Sequence, residues 1–184
     1  MNSTTIIIII VIIVLLWLIF MKPKNKKVNW NSVPSVDLAR YAGIWYEIAR
    51  LPTPFQDFPQ GRCRNSVAQY ILNDNGSMSV INTCDLNSRE IKSVGIAVPA
   101  ANTSIVGTTV SPASLNVKFE NSPAWGQYNI IYLDQAYQHA MVASTNNQNL
   151  WFLARTSNTN PDAYVYMMSI AKKYGFDVNR LISN

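Results

Sequence analysis

The sequence predicts an all-β domain, either a closed barrel or a two-sheet sandwich, with one helix after its last strand and a membrane-spanning helix ahead of it. Short runs of alternating apolar and polar residues recur along the chain, with turn residues between them. A helical period appears once in the domain, near the C-terminus. Residues 6–21 form a run of sixteen consecutive apolar side chains, which is not the pattern of a soluble core element.

As a helix the run 6–21 would be about 24 Å long, somewhat short of a hydrocarbon layer of about 30 Å. Lys22, Lys24, Lys26 and Lys27 follow at once and can snorkel to the interface. No positive side chain precedes the run, and Phe20-Met21-Lys22-Pro23 stands where a small-x-small cleavage site belongs. Both features favour a retained single-pass anchor over a cleaved signal peptide. The expected organisation is an anchor over 1–21, a basic linker over 22–35 and one domain over 36–184. The lysines favour a cytoplasmic domain by the positive-inside rule. A pair of cysteines, Cys63 and Cys84, suits an oxidising compartment as well as it suits two buried thiols. The sequence leaves the side of the membrane open.

A chain of 184 residues with 48% hydrophobic residues has room for one core of ordinary size. Its net charge of +5 comes from 15 Lys and Arg against 10 Asp and Glu. The lysine cluster at 22–27 accounts for most of that excess, and the remainder carries no basic stripe, which excludes a nucleic-acid partner.

Within the domain, Val67–Leu72, the turn Asn73-Asp74-Asn75-Gly76 and Ser77–Asn82 read as a hairpin. Leu115, Val117 and Phe119 alternate with Asn116, Lys118 and Glu120, the period of a half-buried strand. Further strands are expected over 43–50, 91–98, 104–110, 127–133, 139–144 and 150–155. That makes one more than an eight-stranded barrel needs, and 104–110 is the candidate for a loop or an extension of its neighbour. Asn160 can cap a helix over 161–174, with Pro161 and Asp162 in its first turn, Lys172 and Lys173 in its last, and Gly175 closing it.

The segment Gly43-Ile44-Trp45-Tyr46-Glu47-Ile48-Ala49-Arg50, preceded by Val36-Asp37-Leu38-Ala39-Arg40-Tyr41, resembles the start of a lipocalin. Leu133-Asp134-Gln135-Ala136-Tyr137-Gln138-His139-Ala140 and Leu150-Trp151-Phe152-Leu153-Ala154-Arg155-Thr156 follow in the family's order. The likeness is to the subgroup of bacterial outer-membrane lipocalins, plant temperature-induced lipocalins and apolipoprotein D, from about residue 36 to Asp177. It implies an eight-stranded up-and-down antiparallel β-barrel with the C-terminal helix packed outside. It also implies a structural set of Gly43, Trp45, Tyr46, Asp134, Tyr137 and Arg155, with Trp45 plugging one end and Arg155 across its ring.

From inward-facing Trp45 and Arg155, period 2 turns Glu47 and Ala49 inward on the first strand, and Trp151 and Leu153 on the last. The family's phase adds Ala68, Tyr70 and Leu72, then Met78 and Val80, then Tyr128, Ile130 and Tyr132, then Ala140 and Val142. Leu115, Val117 and Phe119 complete the lining. Such a wall suits a small hydrophobic ligand, a fatty acid or lysophospholipid foremost, whose polar end stays near the mouth. Glu47 is the one carboxylate among them, and a structural ion pair near the barrel floor, with Arg50 or Arg155, is the reading preferred over a contact with a ligand head group. Cys63 and Cys84 lie nearly opposite each other around the hairpin, but their parity differs, so a disulfide requires a bulge near Arg62–Asn65.

No cofactor and no metal are expected, since His139 is the only histidine. An enzyme acting on a lipophilic substrate and a barrel serving protein–protein interaction are the alternative functions. The stretch Pro99–Pro112 is the natural place for a partner contact or a pocket lid.

Overall fold

The computed structural model describes residues 28–100 and 110–184. The expected anchor over 1–21 lies outside the described residues, as does most of the candidate strand 104–110. Among the described residues no helix is long and apolar enough to cross a membrane.

Eight antiparallel strands form the barrel: β1 (Gly43–Arg50), β2 (Arg64–Leu72), β3 (Met78–Leu86), β4 (Arg89–Pro99), β5 (Ser114–Phe119), β6 (Gly126–Leu133), β7 (His139–Ala143) and β8 (Leu150–Ala154). Each pairs with its neighbour in sequence, and β8 pairs with β1, so the sheet closes without a free edge. The β2–β3 turn works as its sequence suggests. Gly76 adopts φ +78°, and Asn75 Oδ1 accepts from the Ser77 backbone N–H at 3.0 Å, the local bond that makes Asn a turn former.

A short helix, α1 (Leu38–Tyr41), is capped by Asp37 and leads into β1. The second helix, α2 (Pro161–Tyr174), begins at Asn160, whose side chain accepts from the Asp162 N–H, and ends at Gly175 with φ +98°. Its buried face, Met167 and Ala171, packs on the outward residues Ile48, Ile131, Met141, Leu150 and Phe152. A second apolar cluster fills the barrel itself, with Trp45, Tyr70, Met78, Leu115, Ile130 and Val142 among its members. Sheet alternation sorts the two clusters to opposite faces.

Two bulges break that alternation and correct two expected lining residues. Between β1 and β8 the register shifts, so Glu47 faces Leu153 while Ala49 faces Phe152 and Arg50 faces Trp151. Ala49 therefore joins the outer cluster under α2, and Arg50 turns into the barrel. Between β6 and β7 the register shifts at Ile131, pairing Ile130 with Val142 but Tyr132 with Met141. Tyr132 consequently lies outside, edge-on to Tyr166 of α2 at 5.8 Å, and Leu133 takes the inward place beside Ala140. An extra residue in one strand reverses every side chain beyond it.

A third shift, between Arg64 and Val67 with Asn65 at φ +51°, resolves the parity of the cysteines. Cys63 and Cys84 form a disulfide with Cα atoms 5.4 Å apart.

The barrel has two distinct ends. At one, α1 and the segment Val33–Asp37 cross beneath Trp45. At the other, the mouth, the connections 51–63, 87–88, 120–125 and 144–149 meet. The expected linker is described from residue 28, and there it lies against the domain. The Trp30 indole N–H donates to Asn147 Oδ1 in a mouth loop, Asn29 N–H donates to Tyr174 O, and Val33 N–H donates to Ile130 O, at 2.8 Å for the last two. Ala100 N–H donates to Ser114 O at 2.9 Å, and Val110–Ser111 pairs with Val36–Asp37. Both flanks of the Pro99–Pro112 stretch thus leave from the closed end, and residues 101–109, on which the expected partner contact or lid falls, lie outside the described residues.

Candidate functional site

The closed end is built from all three sequence motifs. The Arg155 guanidinium carbon lies 3.9 Å from the centre of the Trp45 ring, a cation–π contact worth about 0.5–2 kcal/mol. Its nitrogens donate to the carbonyls of Arg40 (2.7 Å), Tyr41 (3.1 Å), Ile44 (2.9 Å) and Tyr137 (3.2 Å). Those four oxygens belong to α1, β1 and the β6–β7 turn, so one side chain closes the barrel floor. Gly43 makes room for it: φ is +97°, and a Cβ there would stand 3.2 Å from Arg155 Nη1. Asp134 holds the turn, accepting from the Gln138 N–H at 2.9 Å and pairing with His139 Nδ1 at 2.8 Å. The Tyr137 hydroxyl accepts from Asp37 N–H at 3.0 Å, and Tyr46 lies outward on β1, half-buried.

Above the floor lies a tyrosine cluster. Tyr41, contributed by α1 and absent from the expected lining, is buried with its ring 4.9 Å from that of Trp45. Its hydroxyl is 2.7 Å from that of Tyr128, which also accepts from Tyr70 at 3.0 Å. Burial pushes the Tyr70 hydroxyl up to about 12, although its bond to Tyr128 works in the opposite direction. Burial likewise holds Tyr41 and Tyr128 well above the usual tyrosine range.

An acid whose folded value is raised favours folding fully below its unfolded value, near 10, and loses that contribution as pH climbs through the folded one. The domain is therefore expected to unfold between about pH 10 and pH 12. Absorbance at 295 nm should show three of the nine tyrosines ionising only together with unfolding. Nine tyrosines titrating near pH 10 with the barrel intact, by circular dichroism, would contradict the cluster.

The middle of the barrel is apolar. Met78, Val80, Leu115, Val117, Ile130, Val142 and Leu153 are buried there with Ala140, and Ala68, Leu72, Phe119 and Trp151 are half-buried against them.

The mouth is polar. Glu47, Arg50 and Ser66 are all buried beneath the 51–62 connection, which reaches back into the barrel through Gln56 and Asp57. Gln56 donates to Glu47 Oε2 at 2.6 Å and to Ser66 Oγ at 3.2 Å, and its own oxygen accepts from the Trp151 indole at 2.9 Å. Asp57 accepts from Arg50 Nη2 at 2.8 Å, from Thr53 N–H at 2.8 Å and from Arg62 Nε at 3.0 Å. Glu47 Oε1 stands 3.4 Å from Arg50 Nε and accepts from Asn184 Nδ2 at 3.1 Å. Burial raises the Glu47 carboxyl above the usual carboxylate value, with Gln56 and Arg50 pulling it down and Asp57 raising it further. Outside this collar, Asp57, Arg62 and Arg64 line an open cleft of about 410 Å³ on the rim.

Of these mouth residues the sequence placed Glu47 and Trp151 on the inner wall and offered Arg50 as a partner of Glu47; the pair is present, at 3.4 Å, but at the mouth rather than near the floor. Arg50 sat on the outward parity until the bulge turned it over, and Gln56 belongs to a connection with no period to read. Cys63 and Cys84 are bonded at the base of the same connection.

Comparisons with known proteins agree with this geometry. The family model for the lipocalin-like domain matches residues 36–184. A putative lipocalin, R877, of Acanthamoeba polyphaga mimivirus is 44% identical over 153 residues, covering 83% of this chain and 86% of that one. The outer membrane lipoprotein Blc of Citrobacter freundii is 37% identical over 153 residues, covering 82% and 79%. Temperature-induced lipocalin and apolipoprotein D also match. Among solved structures, insecticyanin from the tobacco hornworm Manduca sexta superposes with a TM-score of 0.65 at 18% identity, covering 85% of this chain and 84% of that one.

Proposed function

The chain belongs to the lipocalin family, and from that premise we propose that its barrel binds a fatty acid or lysophospholipid and exchanges it with a membrane to which residues 6–21 tether it. The observation that carries this reading is the division of the barrel interior. Apolar walls at Val80, Val117, Phe119 and Leu153 lie below a polar collar of Glu47, Arg50 and Gln56 at the mouth. That is the pattern of an amphiphile with its tail down and its head at the opening.

The tether is supported by the position of the residues that follow the basic cluster. Residues 28–30 lie at the mouth, against Asn147 and the end of α2. Six residues, 22–27, separate them from the apolar run and span at most about 20 Å. In this reading the mouth faces the bilayer. Phe55 and Trp125, on two mouth connections, are 68% and 52% exposed, and aromatic side chains of this kind favour the membrane interface. The relatives from Citrobacter freundii and Escherichia coli are outer membrane lipoproteins by name. The Cys63–Cys84 bond suits the oxidising side of such a membrane.

Binding without catalysis fits the state of the cysteines and the histidine. Both thiols are consumed by the disulfide, and His139 is held in a turn at the closed end by Asp134.

A polyene fatty acid added to the full chain in non-ionic detergent tests the reading, by energy transfer from tryptophan. One saturable site per chain is expected, lost in Val117→Trp, which fills the lumen while its far-ultraviolet spectrum stays that of the parent. Unsaturable transfer, or transfer indifferent to Val117→Trp, would overturn it.

A further inference from the structure

Arg50 is the most unusual side chain in the barrel. Its guanidinium is fully buried, its strand position faces Trp151 of the inner wall, and it lies beneath the 51–62 connection that closes the mouth. One nitrogen, Nη2, is bonded to Asp57 at 2.8 Å. Nε and Nη1 have no hydrogen-bond partner among the described residues, with the Glu47 carboxyl oxygen 3.4 Å from Nε. A buried guanidinium with idle donors is costly to a fold, and the two carboxylates beside it, Glu47 and Asp57, still leave Nη1 without a hydrogen-bond partner among the described residues. At the opposite end Arg155 shows how this chain satisfies a guanidinium that serves structure alone, with all three nitrogens donating to carbonyls.

We infer that Arg50 is the counter-ion for the anionic head of the ligand, a carboxylate or phosphate held at Nε and Nη1 while the acyl chain runs down the apolar barrel. The inference rests on the ligand-binding reading above and deepens it. A guanidinium is the donor that matches a planar carboxylate or a phosphate, and its hydrogen bonds to an anion are stronger than neutral ones. Glu47 fills the role only in part: its oxygens already accept from Gln56 and Asn184, and its nearer one stands 3.4 Å from Nε. Asp57 does compete: it is the carboxylate that already occupies one side of the fork, and it belongs to the mouth connection rather than to the barrel wall. The chain's own acid thus stands where a ligand's head group would arrive from outside, and removing its charge should free Arg50 for the ligand.

The test compares matched pairs on the full chain in non-ionic detergent by native mass spectrometry. An eighteen-carbon fatty acid is set against its methyl ester, and a lysophosphatidic acid against the monoacylglycerol of the same chain. The parent should prefer the anion of at least one pair by about ten- to hundredfold, the worth of a charge-assisted hydrogen bond. Preference within the first pair alone names a carboxylate ligand, and within the second a phosphate. Arg50→Met should erase the preference while ester or monoacylglycerol binding persists, which also shows that the variant is folded. Asp57→Asn leaves Arg50 in place and should strengthen anion binding several-fold with the neutral analogues unchanged. It decides the matter should Arg50→Met fail to fold.

Equal binding of acid and neutral analogue by the parent, a preference that survives Arg50→Met, or weaker anion binding in Asp57→Asn would overturn the role of Arg50. Those results leave the ligand-binding reading standing. Binding of none of the four lipids would overturn both.

Discussion

Replacing Trp45 by alanine is expected to lower the stability of the domain by about 3–5 kcal/mol, the usual effect of emptying a fully buried aromatic site. The indole is completely buried, with the Tyr41 ring 4.9 Å away and the Arg155 guanidinium over its face at 3.9 Å. Its N–H donates to the Tyr41 carbonyl at 2.8 Å, so the substitution also removes one bond from an oxygen that Arg155 shares. Neighbours cannot collapse into the space easily, because Tyr41 is fixed by α1 and by its bond to Tyr128. In a domain of this size the loss corresponds to roughly 10–15 °C in the unfolding midpoint. Trp45→Phe, which keeps most of the apolar contact but not the N–H, should lose about half as much. Denaturant titration of both variants checks the ordering. A loss below about 1 kcal/mol in Trp45→Ala would mean that the floor does not depend on this plug.

The second large effect belongs to the disulfide. Cys63 and Cys84 are separated by 21 positions, and closing a loop of that length lowers the entropy of the unfolded chain by an amount worth about 3 kcal/mol. The double variant Cys63→Ala, Cys84→Ala should lose about that much, and the parent in reductant should follow the same denaturation curve. The loss is expected to be uneven. Cys63 ends the connection that carries Gln56 and Asp57, with Cys63 N–H donating to Gln56 O at 2.8 Å. Amide exchange should therefore quicken most over 51–63, the connection that the disulfide ties to β3, while the strands of the closed end stay protected. Two thiols titrating in the unreduced, unfolded parent would contradict the bond itself.

These expectations separate what the sequence made readable from what it did not. The hairpin around Asn75-Gly76 and the helix from Asn160 to Gly175 are local: the residues that cap and turn them are the residues one reads. The eight strands were legible as alternation, and their closure only through likeness to a family, because a sandwich and a barrel share the same period. Facing failed at Ala49 and Tyr132. In both strands one extra residue, at Ile48 and Ile131, is absorbed as a bulge, and the apolar residue there packs outward against α2 with no local signature to betray it. The same bulge delivered Arg50 to the barrel, so the most informative residue of the mouth was hidden by the parity rule that revealed its neighbours. Tyr41 and Gln56 were hidden differently, since they enter the barrel from a short helix and a connection that have no strand period to follow.

The central claim is that this barrel holds one amphiphilic lipid, and the most direct measurement is native mass spectrometry of the full chain after gentle purification. The account predicts a population heavier than the 20.7 kDa chain by the mass of a single fatty acid or lysophospholipid, displaced one for one by added polyene fatty acid. A bare chain that also leaves the added fatty acid unbound would contradict it.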